Sequence, residues 1–105
     1  MLHPINLLPF MGVEHEHVVN YNGRHFHIFT YQAYNAFGLI GSEHNGIAIC
    51  DVDKKHVLCD GIARESTGYF GASKAQVKEW KRICRMTWEQ FQAFVNSQPS
   101  ARYTI

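Results

Sequence analysis

Seven histidines in a chain of 105 residues are the first place to look for chemistry. Four of them form two i, i+2 pairs, His15-x-His17 and His25-x-His27. Alternate residues of a β-strand project to one side, so each pair can offer two imidazoles to one metal ion. Each pair would need a further ligand, and Glu14 and Glu16 are the nearest companions for His25 and His27. The turn between the pairs decides whether all four converge. Asn22-Gly23 is a strong type I′ hairpin signal, because both central residues of that turn need positive φ. With a two-residue turn Tyr21 pairs with Arg24, and His15, His17, Val19, Tyr21, Phe26 and Ile28 share one face. Glu14, Glu16, Val18, Asn20, His25, His27 and Phe29 take the other. The two pairs then point in opposite directions, so a single four-histidine site is not expected within one chain. His15, His17, His25 and His27 are read as surface strand residues, with a metal site as the alternative, and no cofactor is expected.

Nucleophilic chemistry would need one of Cys50, Cys59 or Cys84 against a histidine such as His44 or His56, in surroundings that stabilise a thiolate. All three cysteines lie on apolar patterns, which predicts buried, inert thiols and no catalytic residue. An odd cysteine count without C-x-x-C also argues against a disulfide framework or a zinc knuckle. Asp51-x-Asp53 sits where a turn is expected and reads as turn chemistry. Gly68-Tyr69-Phe70-Gly71 precedes a helix start but lacks the spacing of a phosphate-binding loop, so it reads as a tight connector.

The strongest grouping is cationic. Ser73-x-x-Gln76 fits a capping box and opens a helix. Its apolar arc is Val77, Trp80, Ile83 and Cys84. Lys74, Lys78, Lys81, Arg82 and Arg85 form a stripe nearly opposite Ile83, which reads either as a solvated helix face or as a surface that attracts phosphates or acidic proteins. Thr87-x-x-Gln90 opens a second helix whose apolar arc is Trp88, Phe91, Phe94 and Val95, with Pro99 ending it. Together they are two short amphipathic helices over residues 73–97. Arg85-Met86 leaves almost no linker, as in an αα-corner or a helix-turn-helix-like unit. A DNA-reading unit places its base contacts on the second helix. Here that helix exposes Glu89, Gln92 and Asn96, which favours an acidic protein surface, or phosphates without base reading.

These groups need a scaffold. Residues 1–12 are expected to be irregular or a short edge segment. A hairpin is expected over Val13 to Tyr31. Thr30 to Gly38 is expected to form two helical turns, capped by Thr30 and stopped by Gly38, with a strand tail as the alternative. A second hairpin is expected over Gly46 to Ile62, with Asp53 to His56 around the turn, Val52 facing Val57 and Cys50 facing Cys59. Gly61 to Ala72 is expected to be a connector. Phe29, Tyr31, Tyr34 and Phe37 read as core, with an exposed interface patch as the alternative.

The length suits one domain over 1–105, and an apolar share of 46% supplies a core. No apolar run approaches the ~20 residues of a membrane span, and Met1 to Pro4 lacks the start of a signal peptide. A cytoplasmic protein without a membrane partner is expected. The net charge of +1 hides an asymmetry: residues 1–72 carry four Lys or Arg against seven acids, a net of −3, and residues 73–105 carry six against two, a net of +4.

The expected fold class is α+β: a small antiparallel sheet of three to five strands built from hairpins, packed against the C-terminal pair of short amphipathic helices. Trp80, Trp88, Phe91 and Phe94 would meet Val19, Phe26 and Ile28. The expected function is that of a small soluble non-enzymatic binding or inhibitory accessory protein, of bacterial, plasmid or phage type. It would dock on an acidic partner through Lys74, Lys78, Lys81, Arg82 and Arg85. The alternatives are a metal-dependent enzyme using the strand histidines and a non-specific nucleic-acid-binding protein. Strand edges in so small a sheet leave a homodimer open.

Overall fold

Asn22 and Gly23 adopt φ of 53° and 87°, the left-handed pair that a type I′ turn requires. The Asn20 side chain accepts from the Gly23 N–H at 2.8 Å and braces the turn. The turn joins β1 (Glu16–Tyr21) to β2 (Arg24–Tyr34) in the expected register, with Tyr21 opposite Arg24 and Val19 opposite Phe26. The computed structural model describes residues 12–34, 42–66 and 71–105. Two further strands follow, β3 (Ser42–Asp51) and β4 (His56–Glu65), and the four form an antiparallel sheet in sequence order. Then come α1 (Lys74–Cys84) and α2 (Trp88–Asn96), so the α+β expectation holds.

Three local expectations fail. No helix starts at Thr30: β2 runs on to Tyr34, and residues 35–38 lie outside the described residues. Phe29 to Ala33 each find a partner on β3, from Phe29 opposite Ala48 to Ala33 opposite His44. A lone two-turn helix is marginal in water, whereas this pairing satisfies the backbone and buries Phe29 and Tyr31. Tyr31 lies across Gly46, where a Cβ would come within 2.8 Å of its hydroxyl oxygen, so only glycine lets the ring cover the strand.

The β3–β4 register is the second correction. Cys50 faces Val57, not Cys59, and Ile49 faces Cys59. The turn starts one residue earlier than expected, because the buried Asp51 carboxylate accepts from the Lys54 N–H at 3.0 Å and Lys55 takes φ of 58°. The Asp53 carboxylate accepts from the His25 N–H at 2.7 Å, which fastens this turn to β2. Third, β4 continues to Glu65 where a connector was expected. It passes through register shifts in which Gly61 and Ala63 take φ of 67° and 54°. Such a conformation in a non-glycine residue needs external support, which Gln76 of α1 supplies by donating to the Ala63 carbonyl at 2.9 Å.

The helices cover one face of the sheet. Val19, Phe26, Ile28, Ile47, Ile49, Leu58, Cys59 and Ile62 pack with Ile83, Phe91 and Val95, and Trp80, Trp88 and Phe94 border this core half-buried. Two polar contacts set the docking: Trp80 Nε1 donates to the Ile28 carbonyl at 3.0 Å, and the Tyr21 hydroxyl donates to the Met86 carbonyl at 2.8 Å. On the other face Phe29, Tyr31, Ala48 and Cys50 form a second cluster with Val13, Ala33 and Val57. Phe29 and Tyr31 are thus core; Phe37 and the Tyr34 side chain lie outside the described residues.

The C-terminal segment covers part of the β4 edge. The Arg102 N–H donates to the Leu58 carbonyl at 2.9 Å, Ser100 Oγ donates to the Asp60 carbonyl at 2.7 Å, and Tyr103 stacks on His56 at 3.8 Å. The covered stretch is closed to strand addition. Among the described residues no helix is long and apolar enough to cross a membrane.

Candidate functional site

The helix caps form as their sequences require. Ser73 Oγ accepts from the Gln76 N–H at 3.1 Å while Gln76 Oε1 accepts from the Ser73 N–H at 3.0 Å. Thr87 and Gln90 repeat the arrangement at 3.2 and 3.0 Å. Only Arg85 and Met86 separate the end of α1 from the second cap, so the helices part along a groove instead of packing along their length. The groove has a volume of about 1110 Å3. Ala75, Met86, Ala93 and Phe94 supply its apolar surface, and Lys78, Lys81, Arg82 and Arg85, with Glu79 among them, its charge.

Four of the five stripe cations therefore meet at one site. Lys74 does not line it; with Val77, His15 and the shared Lys78 and Lys81 it borders a smaller adjacent hollow of about 380 Å3. Glu79 is the acid that answers the stripe. Arg82 grips it with both arms, Nη2 to Oε2 at 2.9 Å, and this hydrogen bond holds the Glu79 carboxyl below its ordinary pKa and raises that of Arg82. The Arg82 guanidinium also sits 5.7 Å from the Phe94 ring centroid, a cation–π distance. Lys78, Lys81 and Arg85 have no acidic partner among the described residues. Glu89 stands in the first turn of α2, outside the groove, and neutralises none of it.

Sequence reasoning missed the α2 half of this site: Gln90, Ala93, Phe94 and Ser97. The one available signal was Phe94, which shares an apolar arc with Phe91 and Val95. Those two are buried, while Phe94 remains half-exposed at the groove.

The histidine pairs are placed on opposite faces, as the hairpin register requires. His15 Nδ1 lies 3.1 Å from Thr30 Oγ1, and its ring packs on Trp80 at 5.5 Å. His17 is exposed. His25 meets Asp53 at 3.3 Å. His27 departs from the surface expectation: it is fully buried, with Nε2 2.9 Å from Glu16 Oε1. Each of these contacts joins two side chains, and among the described residues no group of three or more His, Cys, Asp or Glu could hold a metal ion. The helix N-terminus at Ser73 is served from within the chain, with Glu14 Oε1 accepting from the Ala72 N–H at 3.2 Å.

Cys50 and Cys59 are completely buried on opposite faces of the sheet, and Cys84 is half-buried. Burial pushes the first two thiols up to about 12 and Cys84 to about 11. Such thiols are poor nucleophiles at neutral pH. Ellman's reagent at pH 8 is expected to leave Cys50 and Cys59 untouched until denaturant is added, and to reach Cys84 only slowly. A thiol whose pKa is raised by folding stabilises the fold fully below its unfolded value near 9, and that contribution fades as pH rises towards about 12. Alkaline unfolding is expected within that window, monitored by tryptophan fluorescence, and should shift upward in Cys59→Ala if that variant folds.

No family model, no curated protein and no solved structure matches this chain.

Proposed function

We propose that this is a small binding protein whose interhelical groove docks on an acidic surface of a protein partner, as an accessory or inhibitory subunit. One observation carries the reading: four cations of a single helical stripe converge on a groove with an apolar floor, and three of them lack an acidic partner among the described residues. Phosphate binding alone would need the charge but not the floor. Ala75, Met86, Ala93 and Phe94 offer apolar contact area that a partner would desolvate, as at the centre of protein interfaces, with charged side chains beside it. Opposite potentials across such an interface speed encounter and select partners.

The test is affinity capture from the source cell with wild-type bait and with a K78E/R82E/R85E bait, followed by titration of the purified partner. Lys78 and Arg85 are exposed and have no acidic partner among the described residues, so reversing them should change stability by only about 0.5 kcal/mol or less. Arg82→Glu gives up the Glu79 pair and sets two carboxylates at i, i+3, a further loss of about 0.5 kcal/mol, and circular dichroism should be unchanged. Loss of at least about tenfold in affinity, with wild-type binding that weakens as salt rises, is the expected result. An acidic partner retained equally by both baits would sink the reading.

A further inference from the structure

We infer that the occupant of the groove is an amphipathic α-helix of the partner, with an apolar stripe flanked by carboxylates. This rests on the acidic-docking reading above and adds the form of the ligand. Both walls of the groove are helices, whose backbone groups are already bonded within the helix. An extended segment laid between them would find no strand edge to pair with and would leave its own N–H and C=O groups unanswered against an apolar floor. A helix arrives with its backbone satisfied.

The floor suits a third helix. Ala75 and Ala93 stand where bulkier side chains would hold an incoming helix away, and interaxial distances of about 8–10 Å depend on such small contacts. Met86 adapts its shape to an apolar knob, and Phe94, braced by Arg82, gives a firm one. On the rim, Lys78, Lys81 and Arg85 recur at i, i+3 and i+7 along α1 and its cap, a span of about 10 Å. Carboxylates at i, i+3 or i+4, and i+7 of a facing helix repeat over the same distance. A phosphate backbone would meet that rim but gain nothing from the floor.

The probes are labelled synthetic peptides of about 15 residues, long enough for four helical turns. One carries leucines on a single helical face with glutamates beside them. A second has the same composition with a central proline, a third has lysine for each glutamate, and a fourth is polyglutamate. Duplex DNA is the fifth probe. Binding to the full chain is followed by fluorescence anisotropy, and peptide helicity by circular dichroism. The helical acidic peptide should bind saturably and gain helicity. The proline peptide and polyglutamate should bind at least about tenfold more weakly, a loss that a few core contacts can produce, and the lysine peptide should not bind.

Phe94→Ala should weaken the helical peptide by about tenfold while leaving polyglutamate unchanged. Ala93→Gln, at an exposed position, tests the floor independently should Phe94→Ala unfold. Equal binding of the proline and helical peptides would overturn the helical occupant while leaving acidic docking intact. Failure of every acidic probe, or duplex DNA displacing the helical peptide, would overturn both.

Discussion

Replacing Phe91 with alanine is expected to destabilise the protein by about 3–5 kcal/mol, the range for deleting a buried phenyl ring. Phe91 is fully buried. Its ring lies 5.0 Å from that of Phe26 and 5.2 Å from that of Tyr21, so it joins α2 to both β1 and β2. Few neighbours can collapse into the space, because Phe26 and Tyr21 stand on paired strands of the sheet. The loss compares with a total stability of about 5–15 kcal/mol for domains of this kind. Urea unfolding followed by tryptophan fluorescence measures it directly. Phe94, three residues on and half-exposed at the groove, should cost much less. A Phe91→Ala loss under about 1.5 kcal/mol would mean that α2 is not held by this ring. A loosened α2 also removes one wall of the groove, so Phe91→Ala should lose partner affinity together with stability, while the charge reversals lose affinity with about 1 kcal/mol of stability or less.

Gln76→Ala is expected to cost about 2–4 kcal/mol, more than its size suggests, because one amide satisfies two backbone groups. The side chain is fully buried. Its oxygen accepts from the Ser73 N–H at 3.0 Å and its nitrogen donates to the Ala63 carbonyl at 2.9 Å. Removing it undoes half of the α1 cap and releases the support of a left-handed alanine in β4. Gln76→Glu separates the two roles. It keeps the acceptor for Ser73 but turns a carboxylate oxygen towards the Ala63 carbonyl, so it must be protonated to restore the contact. Its deficit should therefore shrink as pH falls through the raised pKa of the buried carboxyl. Urea midpoints of both variants at pH 7 and pH 5 check this. A Gln76→Glu deficit independent of pH would argue that the Ala63 contact contributes nothing.

The same glutamine shows where a sequence stops being readable. The capping box at Ser73 and Gln76 was legible, as was its copy at Thr87 and Gln90, because cap chemistry acts within four residues. The partner of the Gln76 amide, Ala63, was not, because it depends on how β4 bulges beneath the helix. The histidines divide in the same way. Their placement on opposite faces followed from Asn22-Gly23. The burial of His27 against Glu16 did not, because burial depends on what packs on a face and not on which face a residue takes.

The candidate site was half legible. The stripe Lys74, Lys78, Lys81, Arg82 and Arg85 follows from helical periodicity on one element, and Phe94 and Ala93 joined it only once α2 had docked. For this protein the sequence by itself determined the hairpin turn, the two caps, the charged face and the class of fold, since each rests on steric and hydrogen-bonding preferences a few residues long. The tertiary structure alone decided the length of β2, the register of β4, the burial of His27 and the groove between the helices. Those depend on pairings between segments far apart in the chain, and no local pattern encodes their energy.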